Sequence, residues 1–120
     1  MTQPADTHRP LILVVDDAPD SIEPIVLCLH RAGFRTRIAT NGERALALAG
    51  SKPLPDLILL DITMPDKDGY QVCRMLMNDP VTASIPVIFL TIRNEEVDEQ
   101  LGSDAGAVDY ITKPISPPLV

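Results

Sequence analysis

The chain has 120 residues, 45% of them hydrophobic, and a formal net charge of −7. This size fits one domain with a buried core, and no apolar run approaches the length of a membrane span. An acidic chain without Trp is a poor candidate for binding nucleic acid directly, because phosphates repel it, but it suits a bound cation or a partner with a basic surface.

The chain begins with a polar segment and then a strongly apolar one. Residues 1–8 lack the apolar segment of a signal peptide, so they predict a disordered tail before a domain that spans residues 9–120. The aliphatic run Leu11–Val15 predicts a buried strand. Asp16 and Asp17 follow it directly, so acidic side chains stand where the first strand ends.

A helix and an edge strand come next. Apolar residues at helical spacing predict a first helix that ends at Gly33, which suits a C-terminal cap. The alternating run Arg35–Ala39 predicts a half-exposed edge strand. After an Asn-Gly turn, Glu43–Ala49 predicts a second helix.

The second half of the chain continues the alternation. Its predicted elements, in chain order, are the strand Leu57–Leu60, the helix Tyr70–Met77, the strand Val87–Leu90, a thinly anchored helix after Asn94, and the strand Val108–Ile111. This pattern predicts an α/β fold with helices on both faces of a parallel sheet. We expect a flavodoxin-like, doubly wound, five-stranded sheet in the order 2-1-3-4-5.

Four of the five predicted strands lead into residues that can do chemistry. Asp16 and Asp17 follow the first strand, Asp61 the third, Thr91 the fourth, and Lys113 the fifth. Each has an ordinary structural explanation when taken alone. The aspartates could cap a helix or start a turn, the threonine could be a plain strand residue, and the lysine could be solvated.

Together these residues favour a phosphoryl-transfer site. In the expected strand order the four ends are contiguous, and ligands bind beyond the carboxyl ends of such strands. Three carboxylates in one cleft repel each other unless a cation lies among them, and hard oxygen ligands suit Mg²⁺. A lysine and a hydroxyl at the same rim suit phosphoryl oxygens, so the set could form an aspartyl phosphate.

The segments VVDD, LLDITMPDKDG, FLT and DYITKPI, in that order, resemble the CheY-like receiver domain of two-component response regulators. The resemblance implies that Asp61 is the phosphoacceptor and that Thr91 and Lys113 contact the phosphoryl group. Tyr110 falls where the family has a switch aromatic residue that moves together with Thr91; otherwise it is a plain strand tyrosine. The resemblance also implies a cis bond between Lys113 and Pro114.

The implied cofactor is Mg²⁺, bound by Asp16, Asp17, Asp61 and the backbone carbonyl of Thr63. The implied partners are a histidine kinase or phosphotransfer protein, and an output domain or separate effector, with no direct contact to nucleic acid or membrane. Such a domain is not a conventional enzyme, because it catalyses only its own phosphorylation and dephosphorylation. Cys28 and Cys73 lack a metal-binding spacing and predict buried thiols in a reducing compartment, the cytoplasm.

The chain departs from the resemblance at its end. Receiver domains finish with a fifth helix, and only Ile115–Val120 remain for it here, so we expect that helix to be missing or truncated. The bare face of the sheet would then be buried in a homodimer or covered by residues beyond Val120.

Three other functions compete with phosphoacceptance. A phosphatase of the haloacid dehalogenase kind needs a second Asp two positions after the nucleophile, where this chain has Thr63. A flavin-binding protein would need a phosphate loop after the first strand, where the two aspartates would repel the phosphate. The third is a receiver-like interaction module that works without phosphorylation, although such modules usually lose one of the residues that this chain keeps.

Overall fold

The computed structural model describes residues 9–64, 66–92, 106 and 109–113, with Thr91, Ile92 and 109–113 described by their backbone alone. Its elements in chain order are β1 (Leu11–Val15), α1 (Pro19–Arg31), β2 (Arg35–Ala39), α2 (Gly42–Ala49), β3 (Leu57–Asp61), α3 (Gly69–Asn78), β4 (Val87–Ile92) and β5 (Asp109–Lys113). The predicted tail 1–8, the helix after Asn94 and the shortened fifth helix lie outside these residues.

The five strands form one parallel sheet in the order β2-β1-β3-β4-β5, which confirms the predicted fold and strand order. The strand ends differ from the prediction in β4 and β5. Thr91 pairs with Thr112 and Ile92 pairs with Lys113, so parallel pairing carries both strands further than their apolar runs. Thr91 and Lys113 therefore lie within the strands and not after them.

The sheet separates two apolar clusters because successive side chains of a strand point to opposite faces. Leu13 and Val15 of β1 join the larger cluster, which includes buried residues of α2 and α3. Ile12 and Val14 join the smaller cluster with Ile25 of α1. The central strands β1 and β3 are thus covered on both sides. No helix among the described residues is long and apolar enough to cross a membrane.

Side-chain caps mark the starts of α2 and α3 but not that of α1. Asn41 accepts a hydrogen bond from the Arg44 N–H at the start of α2. Asp68 and Gln71 form a reciprocal capping box at the start of α3. The start of α1 has Ala18 as its cap residue with no side-chain cap bond, so neither Asp16 nor Asp17 serves as the helix cap.

Gly69 lets α3 begin directly against the end of β3. A Cβ atom there would overlap the Asp61 carbonyl oxygen and lie 2.8 Å from the Ile62 Cα. The Gly69 N–H also donates to the Ile62 carbonyl at 2.6 Å. The two backbones meet so closely that only glycine fits without a shift, and the loop 62–68 is closed by this contact.

We predict that Gly69→Ala lowers the free energy of unfolding by about 1–3 kcal/mol, because the new methyl group must displace backbone. Urea unfolding would measure the loss. Gly50→Ala is the matched control, since a Cβ at Gly50 would meet only the Leu46 carbonyl at 3.8 Å. If both variants were equally stable, the packing at the start of α3 would not be as tight as described.

Candidate functional site

Three aspartates meet at the carboxyl ends of the adjacent strands β1 and β3. Asp16 and Asp17 follow β1, and Asp61 is the last residue of β3. Each offers a carboxylate oxygen, and these three oxygens lie within 4.8 Å of one another. Asp16 is 0% exposed and Asp61 is 6% exposed, whereas Asp17 faces solvent. The predicted convergence of these residues is therefore confirmed.

The cluster concentrates negative charge at a place where two of its three side chains, Asp16 and Asp61, are buried. Two unit charges at this separation repel by about 3 kcal/mol at an effective dielectric constant of about 20. The arrangement persists because its backbone is held by the fold. The Asp16 N–H donates to the Ala39 carbonyl at 3.0 Å, and Asp16 Oδ1 accepts the Ala18 N–H at 2.9 Å. A set of oxygen ligands positioned in this way suits a small divalent cation.

Asp61 lies at the end of β3, where the sheet ends and the loop 62–68 begins. Its backbone pairs with Leu90 of β4, and the next N–H, that of Ile62, donates to the Leu90 carbonyl at 3.3 Å. Thr63 is exposed in the loop two residues further on. The predicted role of the Thr63 carbonyl as a metal ligand stays a prediction.

The other predicted site residues lie on the neighbouring strands. Leu90 of β4 is the register partner of Asp61, and Thr91 is the next residue along β4. Lys113 is the last residue of β5. Tyr110 of β5 pairs with Phe89. The backbone thus brings Thr91 and Lys113 to the same end of the sheet as the aspartates, and the roles of their side chains stay predictions. The Lys113–Pro114 bond lies outside the described residues.

Asp66 is a structural residue of the site that sequence reasoning missed. It lies in the loop after Asp61, and its two carboxylate oxygens accept the N–H groups of Gly42 at 2.8 Å and Glu43 at 2.9 Å. These two N–H groups belong to the first turn of α2 and therefore have no partner within the helix. The helix dipole also favours an anion at this position. One side chain therefore ties the loop that follows Asp61 to the start of α2, more than twenty residues earlier in the chain.

The two hydrogen bonds change the acidity of Asp66. The Gly42 N–H, followed by the Glu43 N–H, lowers the pKa of this exposed carboxyl from 3.8 to about 2. Because the folded pKa is depressed, the contribution of Asp66 to stability is fully present above pH 3.8 and is lost as pH falls towards 2.

We predict that Asp66→Asn weakens the fold most at neutral pH and that its difference from wild type shrinks as pH falls from about 4 to about 2. Urea unfolding across this pH range would measure it. Glu23→Gln, which removes an exposed acid on α1, is the control and should show no such convergence. If the difference in stability between Asp66→Asn and wild type did not change with pH, the ionised Asp66 carboxylate would not be stabilising the start of α2.

The comparisons with known proteins agree with this architecture. A family model described as the response regulator receiver domain matches residues 12–120. A Vibrio cholerae protein named "Probable cyclic di-GMP phosphodiesterase" is 44% identical over 96% of this chain and 26% of its own length. Protein PilH of Pseudomonas aeruginosa is 40% identical over 87% of this chain and 85% of its own length.

A solved structure shows the same fold. The Mn²⁺-bound form of response regulator Rcp1 superposes with a TM-score of 0.77 at 28% identity, covering 88% of this chain and 81% of that one. The chain spans only about a quarter of the Vibrio cholerae relative, so it matches one domain of that longer protein. With the strand order, the three converging aspartates and the family match over residues 12–120, the chain belongs to the response regulator receiver domain family.

Proposed function

We propose that this domain is a phosphoacceptor that takes a phosphoryl group on Asp61 and switches conformation in response. The observation that carries the proposal is the Asp61 carboxylate, 6% exposed, with carboxylate oxygens of Asp16 and Asp17 within 4.8 Å. A carboxylate that is held by a strand end and partly desolvated suits a nucleophile. The aspartates beside it suit the cation that such a transfer needs.

The proposed transfer takes place from a phosphohistidine of a histidine kinase or phosphotransfer protein. A carboxylate oxygen of Asp61 attacks the phosphorus atom, a P–O bond forms, and the P–N bond to the imidazole breaks. The imidazole leaves with the electron pair and takes up a proton. Hydrolysis of the aspartyl phosphate by water returns the carboxylate and releases inorganic phosphate.

We propose that Mg²⁺ is the cation of this site. Asp17, Asp61 and the Thr63 carbonyl would bind it directly, and the buried Asp16 would assist through a water molecule. The three-carboxylate cluster fits a hard divalent ion, and a relative of the same fold is described with Mn²⁺ bound. When bound, the ion neutralises charge on the phosphoryl oxygens.

Thr91, Lys113 and Tyr110 form the proposed response to phosphorylation. In the proposal Lys113 pairs with the phosphoryl oxygens, and the Thr91 hydroxyl is drawn towards them. Tyr110 then takes the space that Thr91 leaves. Support comes from the backbone, which puts Thr91 and Lys113 at the same end of the sheet as Asp61. Tyr110 lies on the edge strand β5, paired with Phe89 of β4. Phosphorylation biases a two-state equilibrium that exists without it.

The switch would control an output domain or a separate effector. Several relatives are much longer than this chain, and one of them is named as a cyclic di-GMP phosphodiesterase, so an enzymatic output domain is one proposed target. The receiver domain itself, proposed here to span residues 9–120, would catalyse only its own phosphorylation and dephosphorylation. A homodimer is a second proposed partner. We place the reaction in the cytoplasm, in keeping with two free cysteines.

We predict that a small phosphodonor such as acetyl phosphate, with Mg²⁺, adds one base-labile phosphoryl group to the chain and that Asp61→Asn abolishes it. Intact-mass measurement before and after mild base would show the gain and loss. Asp20→Asn is the matched control, because it removes an exposed acid from the first turn of α1 and should leave the reaction unchanged.

The phosphorylated chain also tests the switch. Amide chemical shifts of 91–92 and 109–113 should change together with those around Asp61. Equal phosphorylation of Asp61→Asn and wild type would contradict the acceptor assignment. Shift changes confined to the neighbourhood of Asp61 would contradict the switch alone.

A further inference from the structure

A second concave surface lies at the opposite end of the sheet from the aspartates. It is a groove of about 710 Å³ where β1 and β2 begin, lined by Arg9, His30, Phe34, Arg35, Arg37 and Pro53, among others. The strand β1 has five residues, so its first and last Cα atoms are about 13 Å apart. A ligand in this groove would therefore not touch the cleft of Asp61.

The groove is basic although the chain is acidic. The chain has 10 Lys and Arg residues against 17 Asp and Glu, and three of those 10 basic residues, Arg9, Arg35 and Arg37, line this one groove. His30 adds a fourth nitrogen-bearing side chain. Such a concentration of guanidinium groups produces a local positive potential within a molecule that otherwise repels anions.

Arg35 and Arg37 are positioned by neutral partners. Arg35 Nε and Nη2 donate to the Arg9 carbonyl at 3.1 and 3.0 Å. Arg37 Nη1 donates to the carbonyls of Leu48 at 3.0 Å and Ser51 at 3.2 Å. Carbonyl oxygens fix the side chains without cancelling their charge, so part of the ordering cost of binding has been met before a ligand arrives.

The remaining walls are partly apolar. Leu11, Phe34 and Pro53 contribute carbon surface beside the arginines. A carboxylate also lies close to the groove, since Asp56 Oδ2 accepts the Leu11 N–H at 2.8 Å. Its charge offsets one guanidinium charge, so Arg35 and Arg37 together keep a net positive charge for a ligand.

We propose that this groove binds a small organic phosphate. The phosphate group would lie on the guanidinium groups of Arg35 and Arg37, with Arg9 beside them, because arginine matches phosphate oxygens in geometry and stays charged. The organic part would cover Phe34 and Pro53. The volume lies in the range of sites for small ligands, about 300–1,000 Å³.

The test is a titration of the ¹⁵N-labelled chain, followed by amide chemical shifts. The probes are a nucleoside monophosphate, a sugar phosphate, inorganic phosphate and the uncharged nucleoside. We expect saturable shifts at Leu11 and 34–37 with both organic phosphates, binding at least about tenfold weaker with inorganic phosphate, and no shift with the nucleoside. Raising salt from about 0.05 M to about 0.5 M should weaken the binding.

Variants separate the proposed contacts from general charge. Arg35→Gln and Arg9→Gln should each weaken binding about tenfold or more, as expected for a charge-assisted hydrogen bond. Arg9→Gln keeps the backbone carbonyl that accepts Arg35, so it serves if Arg35→Gln fails to fold. Arg74→Gln, which removes an exposed arginine on α3, is the matched control and should bind as wild type does.

Three results would overturn the proposal. One is the absence of a saturable shift with either organic phosphate at ligand concentrations up to about 10 mM, which would nearly saturate a site with a dissociation constant of about 1 mM. Another is binding that Arg74→Gln weakens as much as Arg9→Gln does. The last is equal affinity for inorganic and organic phosphate, which would show that the apolar wall takes no part.

Discussion

The repulsion among three carboxylates is the constraint on which the site depends. Asp16 and Asp61 are buried at neighbouring strand ends, and Asp17 lies beside them, with carboxylate oxygens within 4.8 Å. The rest of the fold supplies the rigidity that holds them together. Strands β1 and β3 are adjacent and covered on both faces, so their ends cannot move apart without exposing the core. Binding of the proposed cation would relieve this repulsion, and the relief would contribute to the affinity for the cation.

The loop that follows Asp61 is held at its far end and near its middle. At one end, Gly69 brings the start of α3 against the backbone of Asp61 and Ile62. Midway, Asp66 binds the first N–H groups of α2. A phosphoacceptor needs a carboxylate held in a fixed position, and these two contacts fix the loop that follows Asp61.

Much of this arrangement could be predicted from the sequence because it follows from local patterns. The aliphatic runs gave the strands, and the alternation of strand and helix gave the parallel sheet and its order. The carboxylates Asp16, Asp17 and Asp61 follow those runs directly, so topology alone brings them together. The ends of β4 and β5 could not be predicted in this way, because pairing with a neighbour extended them beyond their apolar residues.

The features that were missed depend on contacts distant in sequence. Asp66 looks like an ordinary turn residue, and only the folded chain brings it to α2, 23 and 24 residues away. The basic groove likewise joins residues from separate loops and strands, with no motif in the sequence. Contacts between residues distant in sequence cannot be predicted from periodicity or local propensity. The one available signal is general: an acidic residue in a loop can bind the N-terminus of a helix elsewhere in the chain.

The central claim is that the three carboxylates repel one another until a cation binds. The most direct measurement is the free energy of unfolding in urea as Mg²⁺ is added, with ionic strength held constant by NaCl. The account predicts that wild-type stability rises with Mg²⁺ by about 1.4 kcal/mol for each tenfold increase above the dissociation constant. Asp17→Asn should be more stable than wild type without Mg²⁺ and should gain less from it. Equal stability in Mg²⁺ and NaCl, or an Asp17→Asn variant that responds to Mg²⁺ as wild type does, would contradict the account.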